Sequence, residues 1–210
     1  MLHQDVYRAL RGGLMAGAYA PGQTVSLRSL AATFGTSPMP VRAAVNRLIA
    51  ERALQLLPNR SIIVPLLTRA SFEEVTRIRI VLEGMAAESA AAQVSPRLLA
   101  ELSRINADLQ TAIADVDVTA ALHANQQFHF RLYEASGSAV LQPLIEALWL
   151  QVGPFMHVSM TAPESRWNAS QHHAALAGLQ RADAASVRHA IETDIADSAA
   201  ALLARGVFAP

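Results

Sequence analysis

The chain has 210 residues, 52% hydrophobic and 16% charged, enough apolar material to bury one or two cores without cross-links. It contains no cysteine, which excludes a disulfide framework, thiolate metal sites and a cysteine nucleophile. The formal net charge is zero, yet residues 1–65 carry seven arginines against only Asp5 and Glu51, so the first third is basic and suited to a polyanion.

The N-terminal sequence MLHQDVYRALRGG lacks the apolar stretch of a signal peptide, and no apolar run approaches the roughly 20 residues of a membrane helix. A cytoplasmic protein without a membrane partner is the expectation. DVYRALRGGLMAG has the spacing of a short amphipathic helix, stopped by the turn at Pro21-Gly22. Ser26 is placed to cap LRSLAATF, which Gly35 closes just past the helix end. A third helix starts at Ser37, a residue with N-cap chemistry. Pro38 at the first helical position loses no helical hydrogen bond, and Pro40 is still inside the first turn.

Along this helix Val41, Val45 and Leu48 recur at helical spacing and face a core, while Met39, Arg42 and Asn46 form a row on the opposite face. ALQLLPNRSIIVP then reads as two short strands around Pro58-Asn59-Arg60-Ser61. Three helices and a hairpin, over residues 1–66, are the order of a winged helix-turn-helix. In that arrangement the second helix of the motif enters the major groove of double-stranded DNA. Arg28 and Arg42 are placed to reach phosphates or guanines, and Arg60 to enter the minor groove.

Composition changes near VPLLTRASFEE. Ser71, followed by Glu73 and Glu74, has the pattern of a new helix start, so the boundary falls at residues 66–70. From there six helical segments follow, at 71–94, 96–115, 118–136, 140–160, 164–182 and 184–205. The fold class is therefore mainly α: a winged helix-turn-helix followed by an all-α antiparallel bundle over residues 71–207.

The first part resembles the DNA-binding domain of the GntR family of bacterial transcription regulators. The resemblance is carried by G-x-Y-x-P-G at 17–22, LA-x-x-FGTS at 30–37, PVR-x-AV-x-RL at 40–48 and L-x-L-x-PNR at 54–60. It implies DNA contacts from Arg28, Ser37, Met39, Pro40, Arg42, Asn59 and Arg60. Pro38 departs from the pattern, standing where many members carry a base-reading arginine, and Ser61 replaces the usual wing glycine. A single reading head recognises only a short half-site, so a homodimer on a pseudo-palindromic operator is expected, acting as a repressor.

The second part, through RIVLEGMAAESAA, FHFRLYEASGS and HHAALAGLQRADAASVRHAIETDI, resembles the all-helical FadR-type (FCD) effector domain. The resemblance implies a small organic acid as effector and a divalent metal ion (zinc, nickel, manganese or iron). The matching positions hold Asn125, His129, His172 and Asp194, where Asn125 replaces the family's aspartate and Asp194 its last histidine. Residues four apart, as Asn125 and His129 are, share a helix face. Direct effector binding by the same polar residues, without metal, is the open alternative.

Arg79 stands at a pocket position of that domain, where a guanidinium clamps a carboxylate. Glu83, one turn on, either orients it or simply pairs with it. His123, His157 and His189 lack comparable framing, with His157 kept as a weak candidate on a helix at the cavity; His173 fits the register less well than His172, and Arg131 is read as a surface residue. Two histidines and a carboxylate are also the ligand set of non-haem metal-dependent enzymes, the rival functional class.

Overall fold

In a computed structural model of the chain, residues 3–161 and 168–209 are described. The amino-terminal part comprises α1 (His3–Met15), β1 (Thr24–Val25), α2 (Leu27–Thr33), α3 (Pro38–Ala50), β2 (Gln55–Leu56) and β3 (Ile62–Ile63). The Ser26 hydroxyl accepts from the Ser29 amide and caps α2. Gly35, at φ +57, takes the left-handed position just past its end. Val41, Val45 and Leu48 of α3 are fully buried against Val6, Leu10 and Leu14 of α1. Each such side chain contributes about 1.5–3 kcal/mol of apolar burial.

The wing is larger than the hairpin read from sequence. β1 joins it antiparallel to β3, with Thr24 opposite Ile63 and Val25 opposite Ile62, giving the strand order β1-β3-β2. Two residues are too few to show an alternating pattern, so this strand has no local signature.

Six helices follow among the described residues: α4 (Arg69–Ala91), α5 (Pro96–Ala114), α6 (Val118–Glu134), α7 (Leu141–Met160), α8 (Ser170–Gln180) and α9 (Ala184–Arg205). The first begins earlier than expected. Thr68, not Ser71, is the N-cap, and its hydroxyl oxygen accepts from the Ser71 amide. Both residues have capping chemistry, and the upstream one adds a turn. The fifth helix, read from residue 164, is described from Ser170; residues 164–167 of that expectation lie outside the described residues. The dominant packing joins α4 to α9, α5 to α6 and α8 to α9.

The two parts meet where α7 lies on α1. An added Cβ on Gly153 would come within 2.5 Å of the Leu14 carbonyl oxygen and 2.6 Å of that of Met15, so the helices approach backbone to backbone. Gly17, at φ +69, faces the same contact: a Cβ added there would lie 3.0 Å from the Gly153 carbonyl oxygen. Beside it, Arg11 on α1 forms an ion pair with Glu146 on α7 at 2.9 Å. One continuous apolar cluster accordingly runs from Val6 and Leu48 through Trp149 to Ile195. Gly153→Ala is expected to lower unfolding stability by about 1–3 kcal/mol through overpacking, read as a shift of the urea midpoint.

Candidate nucleic-acid interface and metal centre

On α3 the side chains of Met39, Arg42 and Asn46 are exposed in one row, as the spacing predicted. Arg28 on α2 is exposed as well. Ser37 is the N-cap by backbone geometry, yet its side chain makes no capping hydrogen bond and is exposed. Pro40 is buried, in line with Ala44 and Leu48, so its ring packs inward and shapes the first turn. That i, i+4, i+8 spacing was a readable signal.

At the wing tip Asn59 and Arg60 are exposed. The Asn59 side-chain oxygen accepts from the Ser61 amide, and Arg60 adopts φ +65. The left-handed residue of this turn is therefore Arg60, so Ser61 does not have to supply the conformation that favours glycine.

The second site lies inside the bundle. His129 on α6, His172 on α8 and Asp194 on α9 converge from three helices, with one donor atom of each within 4.8 Å of the others. His129 Nε2 lies 3.2 Å from Asp194 Oδ2 and 3.3 Å from His172 Nε2. Both imidazoles are buried, and Asp194 is 22% exposed. His172 stacks on Phe128, ring centroids 3.9 Å apart. Asn125, buried one turn before His129 on α6, makes no hydrogen bond with a described residue.

The protonation pattern follows from the surroundings. The Tyr133 hydroxyl donates to Glu83 Oε2 at 2.6 Å, so its oxygen is left to accept from His129 Nδ1, 2.9 Å away. Burial, reinforced by the Glu83 carboxylate, raises the Tyr133 phenol well above its usual range and keeps that proton in place. The proton that His129 gives to Tyr133 is therefore on Nδ1, and its Nε2 faces Asp194 and His172.

Burial pushes the His172 imidazole down to about 3, so it is neutral near pH 7, and its Nδ1 has no hydrogen-bond partner among the described residues. For Asp194, burial acts upward, but the His129 hydrogen bond and the fields of His172, His129 and Arg79 outweigh it and hold the carboxyl below its ordinary value. Two imidazole nitrogens and a carboxylate oxygen thus converge on one point. That donor set fits a divalent cation, with the His129 ring oriented from behind by Tyr133.

Next to this centre, Arg79 and Glu83 of α4 are buried, and Arg79 Nε donates to Glu83 Oε1 at 2.7 Å. Trp149 Nε1 donates to Glu83 Oε2 at 2.9 Å, and the Arg79 guanidinium lies 5.0 Å from the Trp149 ring centre. Glu83 is thus satisfied by Arg79, Tyr133 and Trp149 together. The terminal nitrogens of Arg79 have no hydrogen-bond partner among the described residues. Tyr133 and Trp149 were not found from sequence. Tyr133 had a signal, its place one turn beyond His129, whereas Trp149 had none.

The other histidines are elsewhere. His123, His173 and His189 are exposed, and His173 Nε2 pairs with Asn106 and Gln110. His157 is half-buried on α7 and outside the cluster. Arg131 is paired with Glu101 and Glu134.

A basic winged-helix reader packed on a helical bundle with a polar centre is the build of a DNA-binding regulator that carries its own sensor. A model of the gntR family of bacterial regulatory proteins matches residues 2–64, and one of the FCD domain matches residues 74–201; the chain belongs to the GntR family and carries an FCD domain. The HTH-type transcriptional regulator McbR of Escherichia coli is 32% identical over 190 residues, covering 89% of this chain and 86% of McbR. The HTH-type transcriptional repressor RspR of Escherichia coli is 24% identical over 193 residues, 90% of this chain and 84% of RspR.

The solved structure of Escherichia coli McbR/YncC aligns with a TM-score of 0.88 at 32% identity, covering 98% of both chains. A GntR structure from Rhodococcus sp. RHA1 aligns with a TM-score of 0.77 at 21% identity, covering 96% of this chain and 97% of that one. The chain is a transcription regulator and not an enzyme, which sets the metalloenzyme rival aside.

Glu83→Gln leaves the buried Arg79 cation without its counter-charge. It is expected to cost about 3–5 kcal/mol of unfolding free energy, measured by urea titration at pH 7.

Proposed function

We propose that the chain is a ligand-responsive repressor: residues 1–66 read a pseudo-palindromic operator as one half of a homodimer, and residues 71–207 bind a small carboxylate at a metal centre. The observation that carries the sensor reading is the juxtaposition of His129, His172 and Asp194 with an Arg79 whose terminal nitrogens are uncommitted. A divalent cation held by these three side chains, with Asn125 as a fourth ligand, supplies a Lewis-acid anchor for an anion. Arg79 offers two parallel N–H groups to the same carboxylate, and Glu83 with Trp149 fixes the plane of its guanidinium. The name of the relative RspR supports repression as the mode.

The DNA contacts proposed are Arg28, Ser37, Met39, Arg42, Asn46, Asn59 and Arg60, with phosphates held by the arginines and base edges read by the exposed row of α3. Reading an operator places the protein in the compartment that holds the chromosome, the cytoplasm of a bacterium; no described helix is long and apolar enough to cross a membrane. The dimer is supported by an apolar stripe, Ile78, Val81 and Met85, exposed along α4 at helical spacing.

An effector must favour one arrangement of the bundle over another to change DNA binding. The helix α7 is suited to transmit such a change, because Trp149 touches the pocket while Glu146 and Gly153 hold α1.

Protein purified without an affinity tag should contain close to one equivalent of a divalent metal by elemental analysis, and the double variant His129→Ala/His172→Ala should contain none. Equal trace metal in both rules out the centre. Arg42→Ala should weaken operator binding by about 1–3 kcal/mol at fixed salt in a mobility-shift titration, the size of a lost base contact.

A further inference from the structure

The start of α3 presents few hydrogen-bond donors. Pro38 and Pro40 occupy the first and third helical positions and carry no N–H, so of the first three only Met39 retains an amide to donate. Its side chain is 69% exposed, at the end of the row that continues through Arg42 to Asn46. Ala43, one turn on from Met39, is exposed on the same side, and Pro38 is exposed before it. The helix therefore shows an apolar tip, Pro38, Met39 and Ala43, followed by a polar stretch, Arg42 and Asn46.

In the major groove, among the groups that distinguish base pairs, only the thymine 5-methyl is apolar; the rest are hydrogen-bond donors and acceptors. A polar edge set against Met39 loses its water and gains no partner, whereas a methyl group gains from the same burial. The thioether side chain is unbranched and flexible enough to settle over a methyl group.

The geometry points to Met39 as the residue that selects thymine in the half-site, packing on its 5-methyl group with Ala43 alongside, while Arg42 and Asn46 read the neighbouring pairs by hydrogen bonding. This assignment rests on α3 being the reading helix. It makes the half-site dependent on a methyl group instead of a guanine at the position the helix tip meets.

The test starts from an operator selected with the full-length chain from a random duplex library. Each thymine of the half-site is then replaced singly by deoxyuridine, which removes one methyl group and nothing else, and affinity is measured by fluorescence anisotropy at fixed salt. At one position the wild type should bind the uridine duplex about fourfold more weakly, the value of one lost buried methyl. Met39→Ala should weaken binding to the thymine duplex and bind the two duplexes equally.

Met39 is exposed and no part of the core, so the variant should keep the wild-type melting temperature. If no thymine shows a penalty, or if Met39→Ala keeps it in full, the assignment is overturned. Arg42→Ala separates the two failures. Where it weakens binding but uridine and thymine remain equivalent, the methyl readout alone is wrong; where it has no effect and no half-site is selected, α3 is not the reading helix.

Discussion

A carboxylate with no exposed surface, Glu83, organises the interior of the bundle. An isolated ionised carboxyl in that position would cost several kcal/mol, so its surroundings have to compensate it completely. They do so from three helices: Arg79 from its own, Tyr133 from α6 and Trp149 from α7. Because Tyr133 gives its proton to Glu83, it can only accept from His129, and this puts a proton on His129 Nδ1 and turns Nε2 toward Asp194 and His172. The orientation of the candidate metal ligands on α6, α8 and α9 thus depends on a charge buried in α4.

The same helix that closes this network reaches the DNA reader. Glu146 precedes Trp149 by one turn and holds Arg11, whose side chain also lies near Glu51 at the end of α3. Tyr7 donates to Glu51 at 2.7 Å, and Arg47 stacks on the Tyr7 ring at 3.7 Å. These ion pairs are partly exposed and individually modest in energy. Their value is directional, since they fix the orientation of α3 relative to α7, while the Gly153 contact fixes the separation.

Much of the architecture was legible because it is written in local period and local chemistry. Val41, Val45 and Leu48 share a face, Ser26 has a helix to cap, and Gly35 has one to end. The centre was legible by register: His129, His172 and Asp194 are 43 and 22 residues apart, and only the resemblance of the surrounding motifs tied them together. What stayed hidden was non-local or two-sided. β1 exists through its pairing with β3, Trp149 meets Glu83 across 66 residues, and Thr68 and Ser71 offered equivalent caps.

The backbone contact between Gly153 and the end of α1 bears on how such regulators diversify. A reader joined to its sensor only by a linker can be recombined freely with other sensors. Here the donor helix would have to bring a glycine opposite Leu14 and an acid opposite Arg11, or the junction would leave a steric clash and an unpaired cation. Exchange of sensor modules is therefore constrained to partners whose α7 carries both features, and a chimera is best cut so that α1 and α7 travel together.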